Sequence, residues 1–338
     1  MRIRLQDVAA LAGVSESTVS RVMNAKAGVS ERTRGRVLAV LAEMGYAPPA
    51  LHPPQLGSVG VIVPELDNPI FPKFVQTLEE RLLASGYICV LGCATRVGAG
   101  ESDYLDLMAD RRVSGVVVVS GRHADVRADH SIYERIVDLG IALVTVNGAA
   151  PGPDIPSVSA DDRAATTTAY RHLRSLGHER IGLLIGPRCY TPVLRKLEGF
   201  LDEAHRAGAE ELVAETIFSL DGGYTGAQRL LDAGATGIVA ASDMMALGAI
   251  RAVRARGLGV PDDVSVVGFD DTELMRFTDP PLTTVHQPVT RIVEHAVSML
   301  FAQIDARPVD REERLVPGEL IVRGTTAPLA ALRTAPIG

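Results

Sequence analysis

The sequence has no tryptophan, and phenylalanine and tyrosine together bring aromatics to only 4%. Its cores must therefore rest on Val, Leu, Ile and Ala. No apolar run approaches the roughly 18 residues that a membrane-spanning helix needs, so that class is excluded. The opening MRIRLQD meets its first acid at Asp7 without a continuous apolar stretch, unlike a secretory signal; a cytoplasmic location is expected. Three cysteines are too few for a disulfide framework. Cys89 and Cys93 lie four apart on one extended segment, roughly 13 Å apart and beyond bridging reach, while Cys189 is alone. The histidines are scattered, with none at metal-ligand spacing to another His or Cys inside one element, so neither metal nor cofactor is expected. Enzyme signatures are missing too: there is no GxSxG, HExxH or Walker sequence. GAG at 98–100 has Asp103 where a phosphate loop needs its third Gly.

What is present points to several domains, since 338 residues exceed one ordinary core. Charge is unevenly spread. Residues 1–46 hold seven bases (Arg2, Arg4, Arg21, Lys26, Arg32, Arg34, Arg36) against four acids, in a chain whose totals are 34 and 41. A basic head on an acidic body assigns any polyanion to the head.

The head predicts three short helices. Leu5, Val8, Ala9 and either Leu11 or Ala12 can form one face of the first, which Gly13 ends by accepting a positive φ. Ser15 suits the next N-cap, and Glu16 the positive end of its dipole. In that second helix Val19, Val22 and Met23 point one way. Ser17, Ser20, Arg21 and Asn24 share the opposite face at spacings of three, four and seven. Ser30 caps a third helix in which Val37, Leu38, Leu41 and Met44 recur at helical spacing before Gly45. A helix that breaks and restarts with a bare polar face fits the major groove of DNA better than an ordinary solvated surface. Arg21 can fork onto guanine, and Ser or Asn can reach base edges or phosphates.

LQDVAALAGVSESTVSRVMN, followed by VSERTRGRVLAVLAEMGYAP, closely resembles the DNA-binding headpiece of LacI/GalR-family transcription regulators. The resemblance implies that Glu16, Ser17 and Arg21 choose the base sequence, with Ser15, Thr18, Ser20 and Asn24 as backbone or supporting contacts on double-stranded operator DNA. Glu16 is unfavourable near phosphate unless it accepts from a cytosine amino group. After Tyr46 the pattern departs from the family. Pro49 stands where Asn is expected, His52-Pro53 where an Ala-Arg pair lies, and Gln55 at the position of a minor-groove Leu. Pro53 and Pro54 lack donors and disfavour helix before them. Either the minor-groove insertion is lost, which the prolines favour, or Leu51 or Leu56 makes it from a different geometry.

From Val59 short apolar runs alternate with helical patterns: VGVIV, 71–85, YICVLG, 101–112, GVVVV, 131–139, IALVTVN. A second series follows: 162–176, RIGLLIG, 193–207, ETIFSL, 224–233, TGIVAAS, 244–256, VSVVGF. Unbroken apolar strands are buried on both faces of parallel α/β sheets, and two series predict two lobes with a cleft at the strand ends. Those ends carry Asp67 to Phe71, Asn147, Ser242-Asp243 and Asp270-Asp271. Acids, amides and one aromatic plane suit a polyhydroxylated ligand. The competing reading makes Asp161, Asp243 and Asp271 helix caps.

The family likeness continues through NPIF, RKLEGF, AASDMMALGAIRAVRARGLGVPDDVSVVGFDD and PPLTTVHQP. It implies an all-α helix-turn-helix headpiece on an α/β periplasmic-binding-protein-like core of two parallel-sheet lobes. The expected division is 1–46 DNA-binding, 47–58 Pro-rich linker, 59–328 effector-binding and dimerisation, and 329–338 loose tail. The resemblance further implies a homodimeric repressor whose small-molecule effector, a sugar or a nucleobase with a carbohydrate favoured, meets Phe71, Asn147, Ser242 or Asp243, and Asp270, with Lys196 or Arg195 in place of the family's arginine. The family's Arg three before the GF glycine is here Lys196, preceded by Arg195; lysine is a point charge, not a planar fork. A solute receptor without regulatory DNA binding shares this body but would need an export signal and no head.

The linker generates a first prediction. With Pro53 and Pro54 in place the operator centre should bend little, and a circular-permutation gel checks this; a bend of roughly 40° or more contradicts it.

Overall fold

The computed structural model describes residues 5–23, 29–44, 57–94, 98–149 and 154–329. It divides into two compact units, 1–57 and 58–338. Gly45, the linker residues up to 56, Asn24 and the tail beyond 329 lie outside the described residues.

The first unit is three helices: α1 (Leu5–Ala12), α2 (Glu16–Met23) and α3 (Glu31–Glu43). Gly13, at φ +62°, ends α1. Its amide donates to Ala10 O and that of Val14 to Ala9 O, at 3.4 and 3.0 Å, which is the paired Schellman closure that a left-handed residue permits. Val8, Ala9, Ala12, Val19, Val22, Val37 and Leu41 form the core. Ala12, not Leu11, completes the face of α1: Leu11 is 66% exposed, and Leu5 is exposed as well.

The second unit holds two six-stranded sheets. The chain runs β1 (Gly57–Val63), α4 (Ile70–Ala84), β2 (Tyr87–Cys93), α5 (Glu101–Asp110), β3 (Gly115–Val119), α6 (Ser131–Asp138), β4 (Ala142–Val146) and β5 (Ser157–Ala160). It continues through α7 (Asp162–Ser175), β6 (Ile181–Ile185), α8 (Thr191–Ala207), β7 (Leu212–Glu215), α9 (Leu220–Asp232), β8 (Gly237–Ala240), α10 (Asp243–Ala255) and β9 (Ser265–Asp270). Last come β10 (Thr283–His286), α11 (Val289–Ile304), β11 (Arg314–Val316) and β12 (Glu319–Ile321). The first sheet has the order β11-β5-β4-β3-β1-β2 and the second β12-β10-β9-β8-β6-β7. The central strands pair in parallel, while β12 runs antiparallel to β10. Period-two alternation sends Val117 and Val119 to one core and Val116 and Val118 to the other. Both sets are apolar because helices cover both faces.

Two expectations are corrected. ETIFSL is not a strand: β7 is Leu212–Glu215, and Ile217 and Phe218 are exposed beyond it. The two series are also not simply consecutive. The chain crosses between lobes after β5, returns after β10 so that α11 and β11 join the first lobe, and crosses again into β12. Four short strands (β5, β10, β11, β12) make these crossings, and three or four residues give too little periodicity to be read locally.

In the second lobe α9 and α10 touch through glycine. A Cβ on Gly248 would sit 2.1 Å from Leu220 O, and one on Gly223 would sit 2.3 Å from Met245 O. A Cβ on Gly35 in α3 meets nothing within 4 Å. Gly248→Ala should therefore destabilise the second unit by about 1–3 kcal/mol through overpacking. Gly35→Ala should stabilise the head by up to about 1 kcal/mol through helix propensity. Thermal unfolding followed by circular dichroism separates the two signs.

Candidate DNA interface and effector cleft

Helix α2 begins at Glu16 because Ser15 supplies its cap: Ser15 Oγ accepts from Thr18 N at 3.2 Å. The same hydroxyl lies 2.8 Å from Ser17 Oγ and 2.9 Å from Thr18 Oγ1, so the first turn is tied together. Val19 and Val22 are buried. Glu16, Ser17 and Arg21 are exposed, whereas Thr18 and Ser20 are half-buried. The helix thus turns a guanidinium, a hydroxyl and a carboxylate outward from a buried valine stripe.

In the second unit the strand exits are conformationally unusual. Ser120 (φ +49°) follows β3, Asn147 (+63°) follows β4, and Asp270 (+120°) and Asp271 (+57°) close β9. Non-glycine residues enter this region at a free-energy cost of about 1–3 kcal/mol, and such residues cluster at functional sites. Asn147 is buried; its Nδ2 donates to Ser120 Oγ at 3.2 Å, and its Oδ1 accepts from Gln287 Nε2 at 3.2 Å. Gln287 N donates to Asp270 O at 3.2 Å. Gln287, in the crossing from β10 to α11, therefore links the exit of β4 in one lobe to the exit of β9 in the other.

Around Asp270 the buried charges are dense. Lys196, 5% exposed, pairs with Asp162 at the start of α7, and its ammonium lies 3.6 Å from the centroid of Phe269. Ser242 caps α10, accepting from Met245 N at 3.2 Å. Asp243 takes no part in that cap. Its Oδ1 accepts from Thr284 Oγ1 at 2.6 Å and its Oδ2 from Thr272 N at 3.0 Å, fastening the loop after β9 and strand β10 to α10. Burial pushes the Asp243 carboxyl up to about 7 against those hydrogen bonds. Burial, then the nearby Asp243 charge, raises Asp270 well above the carboxylate range, only partly offset by Lys196. Asp270 Oδ2 is buried without a hydrogen-bond partner. Of the three acids that could have been caps, Asp161 is one, accepting from Ala164 N at 2.9 Å. Asp271 pairs with Arg323 and His286 instead.

Arg195 takes its acid from the other lobe. It forms a bidentate pair with Glu313, whose carboxylate also accepts from Ser159 Oγ; Ser159 Oγ in turn accepts from Gly148 N at 2.8 Å. This joins α8 of the second lobe to β5 and the residue before β11 in the first. A backbone clasp lies beside it: Val126 N donates to Cys189 O at 2.9 Å, and Thr191 Oγ1 to Ala124 O at 3.3 Å. Phe71 opens α4, half-buried against the core. A cavity beside Lys196 and Phe269 measures about 10 Å³, room for one water and not a sugar. The structure thus brings Asn147, Lys196, Ser242, Asp243 and Asp270 around one junction and commits Arg195 to Glu313. Gln287 and Glu313 escaped the sequence reading, although Gln287 stands in the quoted run PPLTTVHQP.

The head and the cleft together define a DNA-binding regulator with a two-lobed ligand domain. Residues 4–49 match the description "Bacterial regulatory proteins, lacI family", and residues 170–326 match a periplasmic binding protein-like domain. The chain is 47% identical over 335 residues to the HTH-type transcriptional regulator MalR of Streptomyces coelicolor, covering 97% of each. A solved complex of the transcriptional regulator CelR with cellobiose superposes with a TM-score of 0.72 at 29% identity, over 96% of this chain and all of that one. A lac repressor dimer bound to operator and the anti-inducer ONPF gives the same TM-score and identity, over 97% and 100%. The chain belongs to the LacI family of HTH-type transcriptional regulators.

The pair Arg195–Glu313 has a pH signature. Burial opposes ionisation of Glu313, but hydrogen bonds from Arg195 and Ser159 prevail and hold it below its usual range. A depressed acid stabilises fully above its unfolded pKa and loses that contribution as pH falls through the folded one. Glu313→Gln should cost about 1–3 kcal/mol near neutral pH and flatten the acid-side loss of stability. Urea titrations of both proteins between pH 3 and 7 measure this.

Proposed function

We propose that this chain is an operator-binding repressor, working as a homodimer in the cytoplasm, whose DNA affinity is set by a carbohydrate effector held between the lobes. The observation that carries the DNA half is the outward face of α2, where Ser17 and Arg21 are exposed above buried Val19 and Val22. Arg21 would read a guanine in the major groove, Ser17 and Glu16 the neighbouring base edges. Ser15, Thr18, Ser20 and Asn24 would support the backbone contacts. Residues 1–46 are then the reading head, 47–58 its tether, 59–328 the ligand and pairing body, and 329–338 a tail.

The effector half rests on the strand-exit junction. Asn147, Ser242, Asp243, Lys196 and Asp270 supply amide, hydroxyl, carboxylate and ammonium groups in a fold whose relative CelR is known with cellobiose bound. Phe71 offers an aromatic face, and Arg195 enters only if its pair with Glu313 opens. Closure of the lobes on a ligand would alter the separation of two heads on a two-fold dimer, coupling the sites. No reaction is proposed: the grouped side chains serve recognition.

Two measurements test this. Operator binding should weaken steeply with salt, and Arg21→Ala should lower the preference for operator over scrambled DNA, with about 1–3 kcal/mol lost on the specific site. An unchanged operator preference in that variant removes Arg21 from base reading. A thermal-shift screen of sugars should find one that stabilises the chain and fails to stabilise Asp270→Ala.

A further inference from the structure

The charges around the junction do not balance, and the imbalance concerns what the cleft can hold. Among the described residues four basic groups stand there already matched. A fifth, His123, is fully buried with its Nδ1 unpartnered and its pKa lowered to about 4 by burial, so it brings no charge. Lys196 pairs with Asp162 beneath the Phe269 ring. Arg195 forks onto Glu313. Arg323 Nη2 lies 2.6 Å from Asp271 Oδ1, and His286 Nδ1 lies 3.1 Å from Asp271 Oδ2. Asp243 is served by Thr284 and Thr272. Asp270 is only half served: it is 6% exposed, its carboxyl meets the Asp243 amide, and its Oδ2 has no hydrogen-bond partner. A buried polar atom without a partner carries its full desolvation cost, and a negative charge placed beside it would meet, among the described residues at the junction, no cation that is not already paired.

Resting on the reading of this junction as the effector site, we infer that the cleft selects by charge. It takes an uncharged, hydroxyl-rich ligand that hydrogen-bonds Asp270 Oδ2 and refuses phosphorylated or carboxylated sugars. The lysine at 196 is central to this. An arginine there could fork onto ligand and carboxylate at once, whereas one compact ammonium, seated on Asp162 and over an aromatic ring, has little left to offer an anion. Arg195 is the other cation in sequence, and its two-point contact with Glu313 leaves its fork occupied. A sugar hydroxyl meets the requirement directly, because it hydrogen-bonds the Asp270 carboxyl without adding charge.

The test is isothermal titration of the intact chain with matched probes: glucose and glucose 6-phosphate, ribose and ribose 5-phosphate, cellobiose and its monophosphate. Inorganic phosphate is a fourth arm, run on the wild type and on Glu313→Gln, which releases Arg195. The expected result is binding of a neutral sugar, with its phosphate ester weaker by about tenfold or more because the anion would be buried without a cation to pair it. That binding should be lost in Asp270→Ala, and phosphate should bind only Glu313→Gln. An ester that binds as tightly as its parent sugar overturns the inference, as does phosphate binding to the wild type. If no sugar of either kind binds, the carbohydrate reading fails and the phosphate arm alone decides charge selection. Phosphate held only by Glu313→Gln then upholds the inference, and phosphate held by the wild type or by neither protein rejects it.

Discussion

The second unit depends on one constraint: among the described residues, five carboxylates and four paired bases are gathered where the chain repeatedly changes lobes, and buried charge is tolerated only when matched. Asp162 lies at the first crossing, Gln287 at the second, and Glu313 just before the strand that precedes the third. Each base that enters takes a specific acid, so the pairing fixes how α7 and α8 meet the ends of β5, β9 and β11. Gly318, whose Cβ would lie 2.6 Å from His286 O, lets the last two crossings run in contact. Stability is therefore drawn from the same residues that are proposed to recognise the ligand.

The strand exits at Asn147 and Asp270 hold positive φ, and there the Asn147 side chain and the Asp270 carbonyl both meet Gln287 of a crossing segment. Gln287 bonds both exits, so a movement of one lobe is felt at the end of a strand in the other. The pair Arg195–Glu313 and the clasp at 124–126 and 189–191 add a second attachment. A ligand bound at the proposed site would act on lobe geometry through contacts that already exist.

Much of the site was visible in one dimension. The head was legible because its signals are local: a glycine that closes α1, two serine caps, and valines at helical spacing. The strand-end residues were legible because unbroken apolar runs announce their own ends. Other features were not. Asp243 could be a cap or a ligand from its position alone, and only its bonds to Thr272 and Thr284 gave it a third, fastening role. The strand assigned to ETIFSL failed because Ile217 and Phe218 are apolar yet lie past the sheet, where Phe218 covers Gly186.

By itself the sequence determined the helix-turn-helix head, the α/β character of the body and the set of polar residues at strand ends, because capping, periodicity and burial act over a few neighbours. Only the tertiary structure decided which acid each base would meet. The partners of Arg195 and Lys196 lie 118 and 34 residues away, and short strands such as β11 carry too little pattern to announce where they will pair. Charge matching across crossings is a property of distances in space, so the half-served carboxyl at Asp270 emerged only when every other charge had found its partner.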